Sequence, residues 1–457
     1  MSSIPSSPPP PAAAVDLSPY LQQLLASPSA SLSFAQAAAV GRAVTAGAFD
    51  AVQLAALLAL MAARGETAET LAGLAASLRR AMSRAQLPPS LPRVQEIVGT
   101  GGDALGTVNV STAAALLAAA CGVPVAKHGS VSVSSLSGAA DVLRELGVAM
   151  LPPALVGRCV AEAGIAFMFA PLFHPALKHV VPVRKAMRMR TVFNLLGPLL
   201  SPCGATSLVL GVFAPRLLSI FAEAVAALDA EAEAEAEAEA GAGAGAGAGA
   251  DAGADENARA GADARAGADA RAGGADADAG TGTAAGAPAA GASATATAAA
   301  AEAPVARAAR ARVRSRALVV HCEGMDEITP CGPTRAVEVR DGRVSAEFVI
   351  DPLLFAAPAP RCTVADLKGG APTENAAILR RVLAGGGEAD LPIGHTVALN
   401  AGAALYTFGR AESVEAGFLA AQGVLRSGRA LAVLDAWAAT TQRLMAEEAQ
   451  AQAQAPA

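Results

Sequence analysis

Apolar positions near the start of the chain recur at helical spacing: Leu21, Leu24 and Leu25, then Leu54, Leu57, Leu58 and Met61, then Leu71, Leu74 and Leu78. Few β-branched residues separate them, so two to four packed helices are predicted, forming a domain over residues 16–90. Pro88, Pro89 and Pro92 then stop the pattern, because proline lacks the N–H that a helix interior needs. Beyond them the texture changes. Short apolar runs (Val94 to Val98, Val123 to Ala126, Ala166 to Phe169, Ser207 to Val212, Ala317 to His321) alternate with helical stretches. Such alternation predicts an α/β domain, placed at 93–445, with a mainly parallel central sheet and crossover helices. The segment after Pro175 is rich in Lys and Arg and reads as helical through Met187. Residues 446–457 are expected to be a tail.

Between residues 230 and 312 both periodicities vanish. Glu-Ala, Gly-Ala and Asp-Ala repeats replace them, with no Leu, Ile, Met, Phe, Tyr or Trp. A helix ending near Ala227 and a strand starting near Ala317 flank the segment, so it joins a helix to a strand. A long connection there costs little, since loop-closure entropy grows only logarithmically with length. The low-complexity segment interrupts the α/β domain and is expected to be a solvated, disordered loop, for want of bulky groups to dock. It also explains the charge. Of 40 acidic and 34 basic residues, 13 and 6 fall inside it, leaving 27 acidic and 28 basic elsewhere. The remainder is thus nearly neutral and offers no basic face of the kind nucleic acid requires, so no nucleic-acid partner is expected.

The longest apolar run free of Gly and Pro, Leu54 to Ala63, is far short of the roughly 20 residues that span a bilayer, so no membrane association is expected. Residues 1–15 lack a basic segment followed by an apolar core, which argues against a secretory signal, and they read as a disordered Ser/Pro/Ala tail. Six scattered cysteines contain no C-x-x-C pair, so neither a disulfide framework nor a zinc site is expected. A soluble intracellular protein follows, cytoplasmic first and plastid stroma second.

Candidate chemistry begins at Gly99-Thr100-Gly101-Gly102-Asp103, directly after a strand-like run. Glycines there permit positive φ and let amide N–H groups approach phosphate oxygens. The loop also fits G-x-G-x-x-A through Ala104. However, no acidic residue follows about 20 positions on to hold a ribose, and the Walker G-K-[ST] is missing. Asn109-Val110-Ser111-Thr112 then precedes the helical run Ala113 to Ala120, placing Ser111 or Thr112 at the N-cap, where free N–H groups favour an anion. A second polar loop runs from Lys127-His128-Gly129-Ser130 through Ser137-Gly138. Two polar Gly loops at consecutive strand ends point to one phosphate-rich ligand, because open α/β sheets bind at the carboxyl ends of their strands. Asp326-Glu327 follows a third strand and suits Mg²⁺, which takes one or two carboxylates and shares its other positions with water and phosphate. Arg184 and Arg190 flank a fourth segment, with Asn194, Gly197 and Pro198 close by.

In this order the segments resemble the anthranilate phosphoribosyltransferase family. The resemblance rests on GTGGD (99–103), NVST (109–112), KHG…SVSS.SG.ADVLRELG (127–147), FAP.FHPA.KHV.PVR (169–184), TVFNLLGPL (191–199) and MDEI.P.GPTR (325–335). It implies a small helical N-terminal domain, with a contribution from about 176–198, joined to a larger α/β domain, normally in a homodimer. It implies that the amine of anthranilate displaces pyrophosphate from 5-phosphoribosyl 1-diphosphate, a step toward tryptophan. Carried over by position, Gly99, Gly102, Asp103, Thr107, Asn109, Val110, Ser111, Thr112, Lys127, Ser134 and Ser135 would contact the diphosphate sugar. Gly99, His128, Ser130, Arg184 and Pro198 would meet anthranilate, with Arg184 facing its carboxylate. Ser111, Asp326 and Glu327 would hold Mg²⁺, as two ions, and Lys127 and Arg184 would be the catalytic side chains.

That implication agrees with the residue chemistry. An aromatic amine is already neutral and nucleophilic near pH 7, so the work is orientation and neutralisation of the departing pyrophosphate. Departures from the family pattern cluster in the second loop: Ser130-Val131 where Asn-Arg is usual, Leu136 for Lys and Ala139 for Ser. TNP after GPL has become Leu200-Ser201-Pro202. These changes bear on affinity and aryl specificity more than on reaction class. Two rivals share the architecture: a pyrimidine nucleoside phosphorylase, which uses inorganic phosphate, and a non-catalytic nucleic-acid-binding relative.

Overall fold

The computed structural model describes residues 13–132, 136–248 and 316–454, with side chains omitted at 239–248. Four helices open the chain: α1 (Ser18–Ala26), α2 (Phe34–Ala46), α3 (Ala51–Arg64) and α4 (Ala68–Ala81). Their starts are written in the sequence. Ser33 and Gln36 form a capping box, Asp50 accepts from the amides of Val52 and Gln53, and Thr67 accepts from that of Thr70. The predicted apolar stripe is the buried one: Leu24, Leu54, Leu57, Leu58, Met61, Leu71, Leu74 and Leu78 are all within the core. Leu25, by contrast, is exposed.

The α/β domain follows with β1 (Gln95–Gly99), α5 (Val110–Ala120), β2 (Val125–Gly129), α6 (Ala139–Glu145), α7 (Pro153–Ala163) and β3 (Ile165–Phe169). Short helices α8 (Ala170–Phe173) and α9 (Val181–Met187) lead to β4 (Ser207–Gly211), α10 (Leu217–Ala248) and β5 (Arg316–His321). Then come β6 (Thr334–Arg340), β7 (Arg343–Val344), β8 (Phe348–Ile350), α11 (Pro372–Leu383), α12 (Leu391–Phe408), α13 (Val414–Arg426) and α14 (Arg429–Gln454). The sheet has the order β3-β2-β1-β4-β5-β6-β7, with β8 also on β6; its first five strands are parallel and β6 to β8 antiparallel. The mainly parallel sheet predicted from alternation is therefore present.

Strand side chains alternate between two cores. Ile97, Val209, Leu318 and Val320 join α5, α7 and α11 to α14 on one face. Val98, Leu210, Ala317 and Val319 join α1 to α4, α10 and the segment from Val180 to Leu200 on the other. The helical bundle is thus one wall of the sheet, and residues 180–200 complete it.

Three boundaries differ from expectation. Val15, assigned to the N-terminal tail, pairs with Phe49. Helix α14 continues through Gln454, so residues 446–454 are helical, as befits an Ala/Gln/Glu run of high helix propensity. Helix α10 extends through the Glu-Ala repeats for the same reason and continues over Gly-Ala repeats, which propensity does not explain, to Ala248, in place of a disordered insert from residue 230. The rest of that insert, 249–312, lies outside the described residues. Among the described residues, no helix is long and apolar enough to cross a membrane.

Candidate active site

The carboxyl ends of β1, β2 and β5 open into a cleft of about 360 Å³. Most residues singled out from the sequence line it: Gly99, Gly102, Asp103, Thr107, Asn109, Val110, Ser111, Thr112, Lys127, His128, Ser130, Pro198, Asp326 and Glu327. Ser134 and Ser135 lie outside the described residues. Arg184 does not line it; its guanidinium sits half-buried over the Phe193 ring at 5.8 Å, and burial lowers its pKa. The arginine presented to the cleft is Arg190, whose Nη2 donates to Gly101 O at 3.3 Å.

The first loop is clamped at both ends. Thr100 N donates to Gly211 O, and the amides of Val108 and Gly369 pair with Leu367 O and Gly106 O. Asn109, not Ser111 or Thr112, is the N-cap of α5, and it makes no side-chain cap. Its side chain is committed sideways instead, donating to Ser137 O at 3.1 Å and accepting from Asn375 Nδ2 at 2.9 Å. No side chain therefore caps the first amides of α5, and the buried Thr112 Oγ1 has no hydrogen-bond partner. A helix start left in that state is an anion site.

Opposite stands the acidic corner. Carboxylate oxygens of Asp103, Asp326 and Glu327 lie within 4.8 Å of one another. Burial first, then mutual repulsion, raises the pKa of Asp326 and Glu327. Asp326 is fixed by the Gly101 amide, which donates to Oδ2 at 2.7 Å. The loop behind it is tied to α12 through Asn400, which accepts from Ile328 N and donates to Ile328 O. Glycine is required at two places beneath: a Cβ on Gly99 would strike the Asp326 carboxylate, and one on Gly211 its backbone carbonyl. Three partly buried carboxylates that repel one another fit a hard divalent cation such as Mg²⁺. Asp103, assigned to the sugar from sequence, belongs with this group.

Lys127 bridges the two halves. It is 3% exposed, and its Nζ donates to Ile97 O at 2.8 Å and Ser111 Oγ at 3.2 Å. Burial brings its pKa down to about 8, against the opposing pull of Glu96, Glu327 and Asp326. Next along β2, His128 Nδ1 lies 3.2 Å from Gly197 O and its Nε2 lies 3.1 Å from His174 Nε2. A carbonyl only accepts, so His128 carries its proton on Nδ1 and takes a hydrogen bond from His174. Burial, together with the neighbouring imidazole, pushes His128 down to about 3, and burial pushes His174 to about 4. Both rings are neutral at pH 7, and His128 presents the cleft with a wall rather than a charge.

Sequence reasoning passes over Glu96, Asn375 and His174. Each is an ordinary polar residue in its own segment, and only tertiary packing brings it to the site.

Comparison with known proteins agrees with this geometry. The glycosyl transferase family α/β domain matches residues 91–242 and 293–431, and the family's helical bundle domain matches 18–82. The anthranilate phosphoribosyltransferase of Rubrobacter xylanophilus is 38% identical over 395 residues, covering 85% of this chain and 88% of its own. That of Thermus thermophilus is 36% identical over 403 residues, covering 88% and 93%. A crystal structure of the Thermus thermophilus enzyme superposes with a TM-score of 0.66 at 33% identity, covering 92% of this chain and 98% of that one. A Saccharomyces cerevisiae anthranilate phosphoribosyltransferase in complex with phosphoribosyl diphosphate and Mg has the same fold, with a TM-score of 0.66 at 23% identity, covering 93% and 98%.

Proposed function

The chain belongs to the anthranilate phosphoribosyltransferase family, and from that premise we propose how its own residues carry out the transfer. The reaction moves the phosphoribosyl group of 5-phosphoribosyl 1-diphosphate to the amine of anthranilate and releases pyrophosphate. One observation carries the assignment of roles: three clustered, partly buried carboxylates face a helix start that no side chain caps, with a buried lysine between them.

The amides at the start of α5, with Thr112, take phosphate oxygens, and Thr107 and Asn109 shape the loop around the sugar. Asp103, Asp326 and Glu327, with the Ser111 hydroxyl, hold Mg²⁺, as two ions; the bound metal supplies charge neutralisation to the departing pyrophosphate. Lys127 adds a fixed cation on the same side, so charge building on the leaving oxygen meets pre-placed partners. Gly99, His128, Ser130 and Pro198 line the approach of anthranilate, and for Arg184 to meet its carboxylate that side chain must turn from the Phe193 ring into the cleft. No strong base is needed, and the neutral His128–His174 pair supplies none. We further propose a homodimer, which light scattering would check.

A phosphorylase that takes inorganic phosphate would gain nothing from three carboxylates that repel that anion, and the nearly neutral remainder of the chain gives no groove for nucleic acid. The deciding experiment incubates the protein with anthranilate, phosphoribosyl diphosphate and Mg²⁺ while anthranilate fluorescence is followed. Fluorescence should fall, and chelation by EDTA should stop the fall. Loss of one pre-placed stabiliser costs roughly 3–4 kcal/mol in other enzymes, so Glu327→Ala should slow turnover by about a hundredfold or more. Near-normal turnover in that variant would sink the metal assignment.

A further inference from the structure

β1 is paired with β4 at five successive positions, and β2 with β3 at five, but β1 pairs with β2 only at Gln95–Val125. Past that point two side chains replace the ladder. The His128 N–H donates to Glu96 Oε1 at 3.2 Å, and Lys127 Nζ donates to Ile97 O at 2.8 Å. Each strand thus reaches the other's backbone through a side chain, and the extra length holds the strand ends apart where the cleft begins. The second bond of Lys127, to Ser111 Oγ, crosses from this gap to the start of α5.

Glu96 is 1% exposed and does not line the cleft. A buried carboxylate is costly, and burial raises this one to about 7 despite the nearby Lys127 ammonium and Arg79 guanidinium. Its Oε1 holds the backbone of His128, the residue next to Lys127 on β2, so Glu96 sets the position of β2 where the lysine leaves it.

We propose that Glu96 is a positioning residue of the transfer reaction, holding the β1–β2 gap open through the His128 amide and so fixing where the adjacent Lys127 stands toward the leaving diphosphate. The proposal rests on the role given to Lys127 above. It requires Glu96 to act through Lys127, which a double-mutant cycle measures directly. The variants are Glu96→Gln, Lys127→Met and the pair, compared in kcat and in KM for both substrates at saturating Mg²⁺, with circular dichroism to verify the fold.

Glu96→Gln should lower kcat about tenfold or more, the scale of a lost charge-assisted contact, with KM for anthranilate unchanged. In the Lys127→Met background it should cost nothing further. Glu96→Asp keeps the charge on a shorter stem and should retain more activity than Glu96→Gln; it also serves the cycle if the amide variant folds poorly. Losses that multiply in the double variant, wild-type kcat in Glu96→Gln, or an aspartate variant worse than the glutamine one would each overturn the proposal. An unimpaired Lys127→Met would overturn the lysine assignment and the proposal with it, whereas an impaired lysine variant with multiplying losses overturns only the coupling.

Discussion

Two arginines compete for one role, and their surroundings separate them. Arg190 is tethered to Gly101 O and stacked over Phe213 at 5.2 Å, so it braces the first glycine loop. Arg184 is half-buried and lies off the cleft wall. Because Arg184 must leave Phe193 to reach anthranilate, Arg184→Ala should raise KM for anthranilate only, while Arg190→Ala should raise KM for phosphoribosyl diphosphate only; steady-state kinetics with each substrate varied would expose an exchange of roles. The buried histidines give a second test. His174 falls from an ordinary 6.5 to about 4 on folding, so between those values the unfolded chain binds a proton that the folded chain does not. Stability linked to it is whole above pH 6.5 and is lost as pH falls through the window. Replacement by asparagine should flatten that acid-side loss in a series of thermal melts, and parallel curves for the two proteins would refute it. Residues of this kind mark the limit of what a sequence discloses. Gly99 to Asp103 and Asp326-Glu327 are legible because their chemistry is local and contiguous. Glu96 is not, since nothing within β1 tells which neighbouring strand will leave a gap for it.

Elements carry the next level of organisation. The cleft depends less on any single loop than on how the loops are held: α5 by the Asn109–Asn375 contact, the acidic loop by Asn400 of α12. Gly211, at the end of β4, lets that loop cross the sheet edge, for a methyl group there would occupy the space of the Asp326 carbonyl. Gly211→Ala should cost about 1–3 kcal/mol of stability through overpacking and weaken Mg²⁺ dependence alongside. Urea denaturation and Mg²⁺ titration of activity would measure both, and a variant unaltered in each would show the loop to be free to move. Helix existence is legible from apolar spacing in α1, α3 and α4, whereas helix ends are not. The start of α5 lies before its expected place because Asn109, the true N-cap, has its side chain drawn off by Ser137 and Asn375 and leaves no capping signature. The extension of α10 through the Glu-Ala repeats escapes a reading that weighs the absence of apolar groups above the helix propensity of alanine and glutamate.

At the scale of the whole molecule, the described residues of 1–231 and 313–457 form one body, and every residue lining the cleft belongs to it. The sequence of segment 230–312 lacks the bulky side chains that docking requires. Its removal over 235–308 should leave kcat and both KM values within about twofold, the range of an ordinary surface change. A collapse of expression or turnover in the shortened protein would show that the segment does more than connect. The six motifs make the fold and the reaction legible at this scale through the family that they resemble together. The placement of the bundle against the sheet has no such signature, because it depends on which face of each strand the helices cover.

The direction of β5 has one more consequence. The strand enters the sheet at Arg316 and leaves it toward Asp326, so its two ends belong to opposite margins of a parallel array. One margin is where chain geometry must be kept to fractions of an ångström. The other is where the sequence has taken on a long run of repeats. A sheet of this kind separates precision from tolerance by polarity alone, and the margin at Arg316 is the place to graft a reporter or a tether onto this enzyme.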